Sequence, residues 1–148
     1  MCSGISAPSQ AWKPLGWACA GYFEIDPFAC EVLAARYPHV KNYGDLLEAD
    51  REKVSDEVGR IDVAVSGSPC QGFSVAGKRR GLDDPRSSLL FASFAMARAV
   101  DARWIIWETV PGVLSDAGGE TIKLIVSTLC DLGYGVAWRV LDARYFGV

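Results

Sequence analysis

Apolar, strand-like runs alternate with helix-like runs along all 148 residues, and this alternation limits the possible folds more than any other feature. The most apolar runs, residues 61–65 and 104–108, are short and lead into turns that contain proline or glycine. Short runs of this kind are typical of buried strands in a parallel sheet, with helices as the connections. The pattern therefore predicts a single α/β domain.

The predicted elements follow one another in a regular order. Strand candidates are residues 18–24, 39–43, 61–65, 104–108 and 134–141. Helix candidates are residues 28–37 behind the cap Asp26-Pro27, residues 46–58, a helix from Ser87 or Ser88 to about Val100, and a segment with Ile122, Ile125, Leu129 and Leu132 on one face. Cys70 and Glu108 each follow a predicted strand, at the sheet edge where α/β proteins bind ligands.

The charge of the chain limits how it can hold nucleic acid. A net charge of -3 argues against a broad basic face. The local exception is the run Lys78-Arg79-Arg80 with Arg86, which begins eight residues after Cys70 in a segment without periodicity, residues 72–84. This run is either a solvated loop or a contact for phosphate groups.

The cysteines and the apolar segments indicate the cellular compartment in which we expect the protein. Five cysteines at irregular spacings, in a chain apolar enough to form a core, predict free thiols and a reducing environment. No charged-then-apolar leader and no run of about 18 apolar residues is present, so we expect a cytoplasmic protein without a membrane span.

Few residue types remain for catalysis. His39 is the only histidine and stands next to Pro38, which predicts a turn residue and leaves no support for a Ser-His-Asp or Cys-His arrangement. Zinc motifs and phosphate-binding loops are also absent from the sequence. Thiols and carboxylates are therefore the candidates.

Cys70 and Glu108 are the strongest of these candidates. A thiol at a strand end beside basic residues is favoured as thiolate, whereas Cys30 and Cys130 fit apolar helix faces and are predicted to be core residues. A carboxylic acid that ends an apolar strand is predicted to be partly desolvated, which suits a proton donor. The alternatives are a structural thiol and a capping or ion-paired carboxylate.

Two segments near the start of the chain suit a small ligand. Glu24-Ile25 ends the first predicted strand, where an acidic residue often binds ribose hydroxyls. The small-residue turn Ser3-Gly4-Ile5-Ser6-Ala7 would let backbone amides approach a ligand, although an ordinary loop explains it equally well.

In their order and spacing, these segments resemble the cytosine-5 DNA methyltransferase family. The most specific match is Pro69-Cys70-Gln71, followed by Phe73-Ser74 and Gly77-Lys78. The other matches are Ser3-Gly4-Ile5, Glu24-Ile25, Asp45-Leu46, Arg86-Ser87-Ser88-Leu89, Glu108-Thr109-Val110 and the final eight residues from Leu141. The resemblance implies a Rossmann-like fold with a mostly parallel sheet, dependent on S-adenosylmethionine.

The resemblance also implies roles for individual residues. Cys70 is expected to attack carbon 6 of a cytosine flipped out of double-stranded DNA, and Glu108 to assist at ring nitrogen 3. Expected cofactor contacts are Ser3, Gly4, Ile5, Ser6, Glu24, Ile25, Asp45, Leu46, Pro69 and Leu89. Expected contacts on the DNA-facing loop are Gln71, Ser74, Lys78, Arg79 and Arg80. No metal site is implied.

Three departures from the family pattern carry expectations of their own. Thr109 stands where members usually have asparagine, which predicts a less preorganised site. Only Met1 and Cys2 precede the first motif, and Ser6 replaces a usual glycine, so the sheet is expected to lack its central strand. The chain stops before the Pro-Gln-x-Arg-x-Arg motif and the target recognition domain, so residues 1–148 are expected to form a partial catalytic domain, incomplete at both ends.

Three functions remain open at this point. The first is a cytosine-5 DNA methyltransferase. The second is an inactive or split fragment of such an enzyme, which acts as an interaction or cofactor-binding module or needs a second chain for the missing recognition domain. The third is a small-molecule-binding Rossmann-like domain in which Cys70 is structural.

Overall fold

The computed structural model describes residues 1–68 and 85–147, and the side chains of all of these except residues 85–88. The α-helices and strands are α1 (Ala7–Trp12), α2 (Pro27–Arg36), α3 (Arg51–Val58), β1 (Val63–Ser66), α4 (Pro85–Ala99), β2 (Trp104–Trp107) and α5 (Glu120–Asp131). Short 3-10 helices cover Lys13–Leu15, Pro111–Leu114, Asp116–Gly119 and Ala143–Phe146. The predicted loop at residues 72–84 lies outside the described residues.

The strands β1 and β2 form a parallel pair, as their apolar sequences predicted. Val63 pairs with Trp104 and the register continues to Ser66 and Trp107. The prediction of a strand buried on both faces is wrong for β2, because Trp104 and Ile106 are 62% and 47% exposed. Among the described residues no third strand or helix covers this face, which leaves the two side chains open to solvent.

The two predicted strands near the start of the chain shrink to a single parallel bridge between Tyr22 and Asn42. The Tyr22 amide donates to Lys41, and the Tyr43 amide donates to Tyr22. Pairing ends at Glu24, because the next two backbone amides bond to the Glu24 side chain instead of to a neighbouring strand. Local side-chain acceptors of this kind compete directly with sheet formation.

Capping residues set the beginnings of two helices. Asp26 caps α2 by accepting a hydrogen bond from the Ala29 amide, as predicted. The helix predicted from residue 46 begins instead at Arg51, because Asp50 accepts from the amides of Glu52 and Lys53 and fixes the start there. Helix α4 begins at Pro85, before the predicted caps Ser87 and Ser88, since proline is well suited to a first helical turn.

The predicted last strand, residues 134–141, is not a strand in the structure. The Tyr134 hydroxyl donates to the Ala102 carbonyl oxygen, and Val136 packs on the core, but Trp138 and Val140 are exposed. An alternating segment becomes a strand only where another strand offers its edge, and none of the described strands does so here.

Helix α4 contributes to both parts of the core. Met96 and Ala97 belong to a first cluster, which extends to Phe23, Leu46 and Val54. The second cluster consists of Leu90, Phe94, Val113, Ile125 and Leu129. The buried positions of α5 therefore confirm its predicted apolar face. The predicted core role of Cys130 is wrong, because that residue is exposed on the same helix.

A cleft of about 1600 Å³ separates β1 from the segment at residues 18–23. Met1 lies at one end of this cleft, where its amino group donates to the Val65 carbonyl oxygen at 2.6 Å and its carbonyl oxygen accepts from the Gly67 amide. The Ser3 amide donates to the Phe23 carbonyl oxygen on the other side. Residues 1–3 thus link β1 to the segment at residues 18–23 by backbone hydrogen bonds.

None of the helices at residues 1–68 and 85–147 is long and apolar enough to cross a membrane.

Candidate functional site

The carboxyl ends of β1 and β2 lie side by side, as the parallel pairing requires. The Glu108 amide donates to the Ser66 carbonyl oxygen at 3.0 Å, which brings the first residue after β2 next to the last residue of β1. Cys70 follows Ser66 by four positions in the sequence. The end of β1, from which the chain continues towards Cys70, and the residue Glu108 therefore lie at the same edge of the sheet.

Several predicted site residues lie outside the described part of the chain. They are Pro69, Cys70, Gln71, Ser74, Lys78, Arg79 and Arg80. Their assignments rest on the sequence alone and stay predictions.

Glu108 is exposed. Partial desolvation by its own strand was the sequence argument for a proton donor, and the described residues do not supply that burial. Glu108 lines the same cleft as Ser66 and Gly67. Its position at the strand ends therefore supports the candidate site, whereas the expected desolvation is not found.

A buried polar network fixes the last residues before the undescribed segment. The indole nitrogen of Trp107 donates to Ser68 Oγ at 3.2 Å, and Ser66 Oγ donates to Ser93 Oγ at 3.0 Å. Ser93 Oγ in turn donates to the Leu90 carbonyl oxygen within α4. These serines are nearly inaccessible to solvent, so hydrogen bonding to β2 and α4 holds the end of β1 in place.

The predicted turn near the start of the chain is confirmed. The Ser6 amide donates to the Ser3 carbonyl oxygen, and both Gly4 and Ser6 adopt positive φ angles. Ser6, which stands where glycine was expected, is buried and bonds through Oγ to Ser9, which contacts the Tyr22 hydroxyl. These contacts stabilise a left-handed conformation that a side chain ordinarily disfavours. Gly4 and Ile5 are left exposed at the tip of the turn.

Glu24 joins this turn to the start of α2. Its Oε2 accepts from the Gly4 amide at 2.6 Å, and its Oε1 accepts from the amides of Ile25 and Asp26, both at 2.9 Å. A carboxylate oxygen accepts about two hydrogen bonds, so, with the donors of the described residues counted, Oε1 is saturated and Oε2 keeps capacity for one more donor. Ile25 beside it is 67% exposed and offers an apolar surface.

The third predicted cofactor segment is divided between site and core. Asp45 is half-buried, and its Oδ1 accepts from the Leu47 amide at 2.8 Å. Leu46 is 5% exposed and packs in the first core cluster, and Leu89 packs against the same cluster. The side chains of Leu46 and Leu89 therefore contribute packing in this structure.

Asn42 was not predicted to be a site residue. Its side-chain amide bonds to the backbone of both Glu24 and Gly44, directly beside the predicted ligand Asp45. The available signal was an asparagine two residues before a glycine turn, a residue type whose side chain readily bonds to nearby backbone.

Cys2 is a weaker candidate for nucleophilic chemistry than its position suggests. Burial raises the pKa of the Cys2 thiol, which favours the protonated form.

The cleft between β1 and residues 18–23 borders Cys2 and the first turn but not Glu24, Ile25 or Asp45. This cleft is therefore separate from the place where the segments that carry Glu24 and Asp45 meet.

Comparison with known proteins places these features in a family context. The family model described as C-5 cytosine-specific DNA methylase matches residues 1–148. Among similar proteins, Type II methyltransferase M.NgoBV of Neisseria gonorrhoeae is 36% identical over 94% of this chain and 34% of its own length. Type II methyltransferase M.MspI of a Moraxella species is 34% identical over 99% of this chain and 34% of its own length.

A phage relative has a name that points to a different base. DNA N-6-adenine-methyltransferase of Escherichia phage P1 is 38% identical over 100% of this chain but only 26% of its own length. This chain thus spans about a quarter to a third of these curated relatives. A name given to a whole relative does not assign its activity to the matched part.

Proposed function

Because the chain belongs to the C-5 cytosine-specific DNA methylase family, we propose that it carries the catalytic centre of a DNA (cytosine-5-)-methyltransferase that uses S-adenosylmethionine. The observation that carries the proposal is the shared sheet edge at which β1 leads towards Cys70 and β2 leads into Glu108. The wider fold proposed for this centre is Rossmann-like, with a mostly parallel sheet. Double-stranded DNA is the proposed substrate and the cytoplasm the proposed compartment.

The residues near the start of the chain fit an adenosine-containing cofactor. Glu24 Oε2 has capacity for a ribose hydroxyl, exposed Ile25 offers an apolar face to adenine, and Asp45 supplies an acceptor for the adenine amino group. The exposed turn at Gly4 and Ile5 adjoins this region through the bond from Gly4 to Glu24. S-Adenosylmethionine, when bound, supplies an electrophilic methyl group.

In the proposed mechanism, Cys70 and Glu108 act on a cytosine flipped out of the duplex. The Cys70 thiolate forms a bond to ring carbon 6 while Glu108 donates a proton or hydrogen bond at ring nitrogen 3, which makes carbon 5 nucleophilic. After carbon 5 has gained the methyl group, a base removes its proton, the bond from carbon 6 to sulfur breaks, and the thiolate is regenerated.

The basic residues after Cys70 are proposed to contact DNA. Lys78, Arg79 and Arg80 supply three positive charges close to the proposed nucleophile in sequence, although the net charge of the chain is -3. Local phosphate contacts of this kind need no basic face elsewhere on the molecule. Gln71 and Ser74 are the proposed polar partners on the same loop.

A covalent trap tests the proposal. In a duplex with 5-fluorocytosine, carbon 5 carries fluorine in place of hydrogen, and a base cannot remove fluorine as it removes a proton. The bond from carbon 6 to sulfur therefore cannot be broken by elimination, so the protein with S-adenosylmethionine should form a stable adduct that Cys70→Ser abolishes. Each reaction is run with the chain alone and with an added polypeptide that carries the arginine motif and the recognition domain. An adduct only in the second arrangement would favour a split enzyme, in which a second chain completes the site.

Analysis of the methylated base separates the remaining alternatives. The proposal predicts 5-methylcytosine in an unmodified duplex. N6-methyladenine as the product, or no adduct in either arrangement from folded protein, would contradict it. Cofactor binding that Cys70→Ala leaves unchanged, without any methylation, would support a small-molecule-binding domain.

A further inference from the structure

Asn42 is the only asparagine in the chain, and its side chain joins the two segments that carry Glu24 and Asp45. Its Oδ1 accepts from the Glu24 amide at 3.1 Å and from the Gly44 amide at 3.2 Å. Its Nδ2 donates to the Glu24 carbonyl oxygen at 3.0 Å. One side-chain amide therefore satisfies both backbone groups of Glu24 and the amide next to Asp45.

This arrangement extends the backbone pairing between Tyr22 and Asn42. The Tyr22–Asn42 bridge consists of bonds from Tyr22 to Lys41 and from Tyr43 to Tyr22. Regular pairing would next place a backbone group opposite Glu24, but the Asn42 side chain takes that position. A residue with a shorter side chain, or without both a donor and an acceptor, would leave Glu24 without these bonds.

The surroundings of Asn42 support a fixed side-chain orientation. Its Nδ2 also lies 3.3 Å from Cys30 Sγ, and that thiol donates to the Glu24 carbonyl oxygen. The donor and acceptor ends of the amide are thereby distinguished, because only the nitrogen can serve the Glu24 carbonyl oxygen. Asn42 is exposed, so its hydrogen bonds rather than its burial account for its position.

We propose that Asn42 is a positioning residue for the cofactor, which holds Glu24 and Asp45 at the separation that one adenosine needs to engage both. The inference rests on the proposed function, and it assigns no contact between Asn42 and the cofactor. It names a residue that acts through the backbone of two proposed ligands.

Calorimetric titration with S-adenosylmethionine tests this role. Asn42→Ala should raise the Kd about ten-fold, which corresponds to about 1.4 kcal/mol. Asn42→Asp has nearly the same shape but sets an oxygen against the Glu24 carbonyl oxygen, so it should raise the Kd at least as much. Lys41→Ala is the matched control, since it removes the neighbouring contact with Glu57 and should leave the Kd within about two-fold.

A double-mutant cycle separates positioning from general support of the fold. If Asn42 acts through Glu24 as well as Asp45, Asn42→Ala should raise the Kd by a smaller factor in a Glu24→Gln background than in the wild type, because the effects of interacting residues are not additive. Equal losses in both backgrounds, or a wild-type Kd in Asn42→Asp, would overturn the inference.

Amide hydrogen exchange in the cofactor-free protein distinguishes failure of this inference from failure of the proposed function. The Glu24 and Gly44 amides should exchange slowly in the wild type and rapidly in Asn42→Ala, while the Ala29 amide, which bonds to Asp26, should stay unchanged. Unprotected Glu24 and Gly44 amides in the wild type would overturn the inference alone. Protected amides in a protein that binds no S-adenosylmethionine would contradict the proposed function, and the cofactor role of Asn42 with it.

Discussion

The indole nitrogen of Trp107 donates a hydrogen bond to Ser68 Oγ at 3.2 Å, and this bond ties the end of β2 to the residue two positions before Cys70. Ser68 is only 3% exposed, so the bond lies in a region that water reaches poorly. A hydrogen bond in such a place restricts the backbone more than one at the surface does.

Removal of this bond should affect both stability and the proposed thiol chemistry. Ser68→Ala should lower the free energy of unfolding by about 1–2 kcal/mol, because the indole N–H loses a buried acceptor. Denaturant titration measures this loss, and the rate of adduct formation with 5-fluorocytosine DNA should fall as well. Trp104→Phe is the control, since Trp104 lies on the same strand but is 62% exposed. Equal effects of the two substitutions would contradict a specific role for the bond.

The buried serine pair predicts an asymmetry between two similar substitutions. Ser93 Oγ accepts from Ser66 and donates to the Leu90 carbonyl oxygen, and both serines are 0% exposed. Ser93→Ala leaves the Ser66 hydroxyl without its partner and should cost about 1–3 kcal/mol. Ser66→Ala leaves the bond from Ser93 to Leu90 intact and should cost less. Denaturant titration of both variants measures these losses. A larger loss in the free energy of unfolding for Ser66→Ala than for Ser93→Ala would contradict this hydrogen-bond network.

The sequence predicted the parts of the fold that local patterns determine. The strands at Val63–Ser66 and Trp104–Trp107 and the Asp26 cap are confirmed, because apolar runs and capping side chains act over a few residues. The prediction of a last strand at residues 134–141 is wrong, because the alternation of apolar and polar residues does not reveal whether another strand offers an edge for pairing. The exposure of Glu108 was missed for a similar reason, because burial depends on segments distant in the sequence.

The candidate site was predictable from motifs but not in its supporting contacts. Glu24 and the Ser3–Ser6 turn were identified from the sequence, and the structure brings them together through the bond from Gly4 to Glu24. The role of Asn42 depends on a parallel bridge that no local pattern shows, so the asparagine two residues before a glycine turn indicated a local backbone contact but not the bond to Glu24.

Phe94 should contribute more to stability than any exposed aromatic residue. It is 0% exposed, and its ring meets Trp107 edge to face with a centroid separation of 6.3 Å. Phe94→Ala should lower the free energy of unfolding by about 3–5 kcal/mol, through lost apolar burial and a cavity between α4 and β2. Phe28→Ala is the control, since Phe28 is 70% exposed and should change stability by less than about 0.5 kcal/mol.

A milder variant keeps this prediction measurable if Phe94→Ala does not fold. Phe94→Leu retains most of the apolar volume and should unfold at a denaturant concentration between those of the wild type and the alanine variant. A Phe94→Leu protein as stable as the wild type, together with a folded Phe94→Ala, would show that this ring is not central to the core.

Tyr22 should make the stability of the protein depend on alkaline pH. Burial raises the pKa of the Tyr22 phenol, and its hydroxyl contacts Ser9 Oγ at 3.0 Å. The unfolded chain loses this proton near pH 10, before the folded protein does, so the unfolded state gains stability as pH rises above about 10. The free energy of unfolding should therefore fall between the unfolded and folded pKa values, with a slope of up to about 1.4 kcal/mol per pH unit.

The matched test compares Tyr22→Phe with Tyr145→Phe, whose parent ring is 77% exposed. Tyr22→Phe should lose about 1 kcal/mol near neutral pH, because the contact with Ser9 is removed, but its stability should fall less steeply at alkaline pH. Some slope should remain, since burial also raises the pKa values of Tyr43 and Tyr134. Denaturant titrations between about pH 8 and 11 measure these slopes, and an unchanged slope in Tyr22→Phe would show that the Tyr22 phenol does not titrate as its burial requires.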